Sequence, residues 1–494
     1  LKKLRELLSD SLMYGISSVL ARFLNYLLVP FHTDVFEPSR YGIIGLLYAA
    51  IAFLNILFTF GMESTFLRFA KDREKAASYF KTIQLLVFGA VISLSGLLWI
   101  LRSVWLPYLG LTAGMEYLFA MMLGILVMDA LSAVPFAELR LIRKSGFFAL
   151  LKVGHVVINL VLNFYLILVL DWGIEAVLFS NLMASILVAA ILNVWAYYLW
   201  KGKFNYPMVR QALRFGLPLI PAGIGYTINE FVDRFFLGNM DPQTVEILYS
   251  AGATPESVVG IYNACYKLAV FMLLLVQMFR MAWQPFFFRH AEDEDAPQLF
   301  ANTFLLFNAV AAVLFVGTAL FADYIVQIPI PLLHTTLIDQ AYWSGLEIVP
   351  YLLLAYWFLG CYINLTVGPY LTDKTEMLST FSMGGAALTI LGNILLVPVW
   401  GMIGAAVATV LCYGGMAAFI WTWNRKYYPV PYKMWKVTIL FIGAITVVFG
   451  IQYLDSNPSM YLRIMGVFVI ISLIGILGFS TIQSFLKSRI PKKY

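Results

Sequence analysis

Four cations of this chain, Arg22, Lys152, Arg234 and Lys267, stand inside segments that are otherwise almost wholly apolar. Four acids, Glu63, Asp129, Glu230 and Asp233, lie inside or at the edge of similar segments. A charge at bilayer depth costs about 2.5–3.5 kcal/mol on insertion scales, so it is turned toward protein, water or a ligand. Guanidinium and ammonium groups around a cavity would hold an anionic head group, and a guanidinium fork matches its oxygens well. Arg22, Asn25, Arg234 and Lys267 are therefore the candidate substrate-binding residues. A carboxyl in such a place can carry a proton or bind a small cation. Asp129 is the first ion-coupling candidate, followed by Asp233 and Glu230.

Structural roles compete with these readings. Glu230 and Arg234 are four apart on one helix face and would neutralise each other. Lys267 and Lys152 would snorkel toward the membrane surfaces. Asp129, with Ser132 as its nearby polar side chain, would form a fixed pair with a cation of another segment. Glu63 would pair with Arg68. Asn25, Asn55, Asn159 and Asn163 would bond between helices or line a path for hydroxyl-rich cargo. No G-x-x-x-x-G-K-[ST] loop occurs, so nucleotide-driven chemistry has no motif here. His32, His155, His290 and His334 show no metal-ligand spacing, and Cys265, Cys361 and Cys412 fall inside apolar runs. Neither a metal, a disulfide framework nor a cofactor is expected.

The elements that must position these residues are long apolar helices. The 494 residues are 61% hydrophobic and 12% charged, about half the charge of a soluble globular protein. Lipid is the solvent such a surface requires. Runs of about 20 residues span a bilayer as helices, and no alternation of ~10-residue strands is visible. Fourteen spans are predicted: 11–31, 41–62, 80–101, 115–136, 147–170, 174–199, 210–238, 258–280, 299–328, 345–368, 377–398, 402–424, 434–453 and 461–485. With residue 1 cytoplasmic, the outer connections hold only Arg40, Arg102 and Arg463, whereas the inner ones and both tails hold 26 of the 33 lysines and arginines. That is the positive-inside asymmetry, and it accounts for the net charge of +6 without nucleic acid. Both termini are expected to be cytoplasmic. The start, "LKKLRELLSDSL", has no small-residue cleavage site, so no cleaved signal peptide is expected. Its leucines at 1, 4, 8 and 12 would face the membrane interface.

The chain also repeats itself. "YGIIGLLYAAIAF" at Tyr41 aligns with "VGIYNACYKLAVF" at Val259, pairing Gly42 with Gly260, and "LRFAKDRE" at Leu67 matches "FRHAEDED" at Phe288. "NLVLNFYLILVLDWGIEAV" at Asn159 resembles "ILGNILLVPVWGMIGAAV" at Ile390. Two six-helix lobes, residues 1–200 and 207–424, are expected, with helices 13 and 14 at 433–487 outside the repeat. Six helices per copy give both lobes one orientation, hence a pseudo-two-fold along the membrane normal, with a site between halves. Pro218 and Pro221, among Gly216, Gly223 and Gly225, mark a hinge candidate in the seventh span.

The stretches "NEFVDRFFLG" at Asn229, "VGIYNACYKLA" at Val259, "MAWQPFFFRHAED" at Met281 and "NILLVPVWGMIGAAVAT" at Asn393 resemble the polysaccharide-exporter branch of the multidrug/oligosaccharidyl-lipid/polysaccharide transporter superfamily. "LARFLNYLLVPFHTDVFEPSRYGIIGL" near the start and the fourteen-span layout fit it as well, so the resemblance covers nearly the whole chain. It implies an all-α flippase of the bacterial inner membrane. Such a protein moves an undecaprenyl-pyrophosphate-linked oligosaccharide, as in O-antigen and lipopolysaccharide biosynthesis, from the cytoplasmic to the periplasmic leaflet. The resemblance further implies proton or sodium coupling, and polymerase and chain-length proteins as partners. A cation-coupled multidrug and toxin extrusion antiporter and a lipid II flippase are the alternatives. A membrane polymerase or glycosyltransferase is disfavoured, because the outer connections are short and hold no clustered acid pair.

Overall fold

The computed structural model describes residues 28–331, 335–455 and 458–488. Among them, eleven helices are long and apolar enough to cross a membrane. The described chain is helical apart from short connections and one small hairpin, Pro329–Ile330 with Thr335–Thr336. It packs as two compact units, Leu1–Ile261 and Tyr262–Tyr494.

The first unit contains α1 (Leu28–Val35), α2 (Pro38–Thr59), α3 (Met62–Phe69), α4 (Arg73–Ile100), α5 (Arg102–Tyr108), α6 (Glu116–Leu141), α7 (Ser145–Leu168), α8 (Glu175–Trp195), α9 (Tyr206–Gly216), α10 (Leu219–Gly238), α11 (Pro242–Leu248) and the start of α12 (Pro255–Arg289). Pro38 opens α2 at a position where its missing N–H is no loss. Asp72 caps α4, accepting from the Glu74 N–H at 3.2 Å. The Lys75 ammonium, 3.1 Å away, holds the Asp72 carboxyl below its ordinary range.

Charged residues lock one end of this unit. Arg73 makes two bonds to Glu138, at 3.0 and 2.6 Å, and Tyr198 donates to the same carboxylate at 2.9 Å. Arg140 pairs with Glu63, so the partner of Glu63 is not Arg68; that guanidinium lies 4.5 Å over the Phe215 ring. Lys203 N–H donates to Ser78 and Asn205 N–H to Thr82, each at 3.2 Å. The connections before α4, after α6 and after α8 thus meet, bringing Lys71, Arg73, Arg140, Arg143, Lys144, Lys201 and Lys203 to one end.

The starts of α2 and α12 cross at two glycines. A Cβ on Gly42 would collide with the Glu256 carbonyl oxygen, and one on Gly260 with that of Pro38. These are the glycines that the internal repeat aligns. Backbone contact this close has no room for any larger side chain.

The second unit contains the rest of α12, then α13 (Ala296–Leu320), α14 (Ala322–Val326), a 3-10 helix (Gln340–Ile348), α15 (Val349–Leu365), α16 (Val367–Leu371), α17 (Glu376–Tyr427), α18 (Met434–Leu454) and α19 (Met460–Ser488). The 52 residues of α17 would reach about 78 Å if straight, far more than the ~30 Å hydrocarbon core. The chain reverses at Gly401, with φ 52° and ψ −126°. Gly404 then packs on Leu396, Gly392 on Ala408, and Gly385 on Cys412 and Met416. These are the pairs of a helical hairpin closed by small residues. Gly401→Ala is expected to cost about 1–3 kcal/mol, because a side chain disfavours this backbone conformation. Thermal unfolding in detergent would measure it.

The α18 and α19 helices pack on each other and on α13. Arg463, buried, pins α19 by donating to the carbonyls of Leu320 at 2.6 Å and Pro458 at 2.8 Å and by pairing with Asp323.

The expected spans map onto these helices with three differences. Span 11–31 lies mostly outside the described residues. Spans 377–398 and 402–424 are the two arms of α17. Span 210–238 is divided: α9 ends at Gly216 and α10 begins at Leu219. Pro218 at the division has no N–H to continue the helix.

Candidate functional site

The α10 helix has 20 residues, enough to cross a bilayer, but it carries Glu230, Asp233 and Arg234. All three are buried, together with Thr227 and Asn229. The carboxylate bonded to Arg234 Nη1 is that of its neighbour, Asp233, at 2.6 Å. Glu230 supplies its backbone carbonyl to the same nitrogen, also at 2.6 Å. The four-residue spacing of Glu230 and Arg234 is thus realised through the backbone, and Asp233 supplies the charge. The Phe231 ring lies 5.5 Å from the guanidinium. The division at Leu217–Pro218 places Pro218 immediately before this helix and Pro221 in its first turn.

Lys267 is partly buried on α12 and belongs to the second unit. Arg22 and Asn25 lie outside the described residues. Of the residues singled out for chemistry, the structure therefore gathers Glu230, Asp233 and Arg234 on one helix.

A second polar cluster runs through the middle of the first unit. Ser185 donates to Asp129 Oδ1 at 2.8 Å, and His155 Nε2 lies 3.1 Å from the same hydroxyl. Three helices, α6, α7 and α8, supply one residue each, all near the helix midpoints. One turn earlier on α8, Asn181 donates to the Tyr48 hydroxyl at 2.9 Å. Two turns later, Asn193 accepts from Gln84 at 3.3 Å, and Gln84 also donates to the Leu131 carbonyl at 2.9 Å. On α7, His155 is followed at four-residue steps by Asn159 and Asn163. Asn163 donates to Asn159 at 3.0 Å and is bonded by His32 Nε2 at 3.0 Å.

Asp129 is thus not served by Ser132, which bonds to the Met128 carbonyl at 2.8 Å. Two of the histidines that looked scattered, His32 and His155, join this seam. The sequence carries this seam as polar side chains in a four-residue register, Asn181 and Ser185 on α8 with Asn193 eight residues further on, and His155, Asn159 and Asn163 on α7. Lys152, expected to snorkel, is exposed and rests its ammonium 4.3 Å over the Phe136 ring. Its ammonium is a charged neighbour of Asp129.

Residues 7–291 match the family described as polysaccharide biosynthesis protein. Among solved structures, the chain is similar to the lipid II flippase MurJ in an inward closed conformation, with a TM-score of 0.67 and 13% identity over 96% of this chain and 100% of that one. It is also similar to an inward-facing multidrug resistance MATE transporter of the MOP superfamily, with a TM-score of 0.63 and 13% identity over 87% of this chain and 96% of that one. An outward-facing MATE structure gives a TM-score of 0.54 and 12% identity over 87% and 94%. At these identities the likeness is one of fold, and it extends beyond the family match into the second unit. No curated protein sequence matches the chain.

Proposed function

The chain belongs to the polysaccharide biosynthesis protein family, and from that premise we propose that it flips an undecaprenyl-pyrophosphate-linked oligosaccharide from the cytoplasmic to the periplasmic leaflet of a bacterial inner membrane. The observation that carries this reading is the buried charged face of α10 within a transporter fold. A helix of that length with three buried charges is expensive in lipid and useful beside a hydrated path.

In this reading, Arg22 and Lys267 hold the pyrophosphate with charge-assisted bonds. Arg234, held by Asp233, offers guanidinium N–H donors to the path, and Asn25 meets the glycan. The lipid tail stays in the bilayer. The layout has fourteen spans and two cytoplasmic termini. Its repeat-related lobes, 1–200 and 207–424, alternate around the site, and the break at Leu217–Pro218 absorbs the motion. An ion gradient drives the cycle. Polymerase and chain-length proteins take up the product.

A multidrug antiporter shares the fold, but the family match favours a glycan lipid over a cationic drug. Purified protein in proteoliposomes separates the two. We expect lipid-linked oligosaccharide to become accessible to an added lectin faster than in protein-free vesicles, with no uptake of a lipophilic fluorescent cation. Uptake of the cation without glycan translocation would overturn the proposal.

A further inference from the structure

We propose that His155, Ser185 and Asp129 form the proton-binding relay of this transporter, so that the ion it exchanges is a proton rather than sodium. The inference deepens the transport reading above and names the site and the ion.

The three groups share protons along a single bonded line. Ser185 Oγ stands between the other two, 2.8 Å from Asp129 Oδ1 and 3.1 Å from His155 Nε2. With Asp129 ionised, the serine proton goes to the carboxylate, and the serine oxygen accepts from Nε2–H. With Asp129 protonated, the carboxyl donates to the serine, whose own proton then points at an unprotonated Nε2. The chain is fully bonded in both states.

Proton balance follows from the same geometry. A proton taken up at Nδ1 makes an imidazolium. The Nε2 proton then moves to Oγ as the serine proton moves to Oδ1, leaving neutral histidine and a neutral carboxyl. Loss of the carboxyl proton, with rotation of the hydroxyl and a change of imidazole tautomer, resets the chain. No redox partner is needed.

The surroundings favour a proton over a metal cation. Hard cations require a cage of several oxygens. The bonded partners of Asp129 offer one hydroxyl, already donating, and beyond it a nitrogen. The charged and titratable neighbours of Asp129 are Lys152 of α7 and the Tyr48 phenol of α2. Arg140 of α6 is paired with Glu63 of α3, and Arg73 of α4 with Glu138 of α6. The groups that α4 and α8 bring to the seam, Gln84, Asn181, Ser185 and Asn193, are uncharged. The ammonium of Lys152 would repel a sodium ion at Asp129.

The test is infrared titration of the purified full-length protein in lipid nanodiscs, without substrate, so its failure leaves the glycan reading untouched. We expect a protonated-carboxyl band that appears as pH falls and is missing in Asp129→Asn. Ser185→Ala and His155→Gln should keep the band and shift its midpoint by about one pH unit, the worth of one lost charge-assisted bond. Replacing potassium with sodium should leave the midpoint in place. A band that persists in Asp129→Asn, one unmoved in both other variants, or a midpoint that sodium displaces would overturn the relay.

Discussion

Arg73→Met is expected to lower the stability of the protein by about 3 kcal/mol, the lower part of the range for breaking a buried ion pair. The Glu138 side chain is fully buried, whereas that of Arg73 is 48% exposed. Removing Arg73 leaves a buried carboxylate with the Tyr198 hydroxyl in place of three donated bonds. Removing Glu138 leaves a guanidinium that water can reach, so Glu138→Ala should cost less. The paired variant Arg73→Met/Glu138→Gln should recover much of the loss, because neither charge is then stranded. Thermal unfolding of the four proteins in one lipid–detergent mixture would measure this order. If Glu138→Ala proved the more damaging single change, the carboxylate would not be the group that needs its partner.

The second large effect concerns transport. A charge-assisted hydrogen bond contributes about 1.5–3 kcal/mol, so Arg22→Ala should weaken glycan-lipid binding roughly tenfold to a hundredfold. Arg22→Lys should recover only part of this, since a fork is replaced by a point charge. Arg234→Ala should lower both binding and stability, because it strands the buried carboxylate of Asp233. Equilibrium binding of the lipid-linked oligosaccharide to purified variants would measure the first two effects, and unfolding temperature the third. Arg22→Ala binding with wild-type affinity would remove this residue from the site.

These residues show where a sequence is legible and where it is not. Apolar runs identified nearly every long helix, because lipid imposes one pattern on all of them. The hairpin at Gly401 was legible as two spans, since no bilayer accommodates 52 continuous helical residues. The repeat aligned Gly42 with Gly260, and the structure sets these two residues against each other's helices. The break before α10 was seen as a bend, because proline marks where a helix yields but not how far. Partners were the least legible part. Glu63 found Arg140 instead of the nearer Arg68, and Asp129 found Ser185 and His155, because side chains from different helices meet by packing, which sequence spacing does not encode. Asn159 and Asn163 stand out in the sequence as polar groups in an apolar run, but their four-residue register with His155, and that of Asn181 with Ser185, names no partner on another helix.

In the proposed cycle, cations within the apolar spans carry a glycan pyrophosphate across the membrane. The decisive comparison is translocation of a lipid-linked oligosaccharide in proteoliposomes by the Arg22→Ala/Arg234→Ala/Lys267→Ala variant beside the wild-type protein, both shown to be inserted and folded. The wild-type protein is expected to translocate the lipid, and the triple variant to fall to the rate of protein-free vesicles. Near-normal translocation by the triple variant would contradict it, and would assign these charges to holding helices together instead of holding cargo.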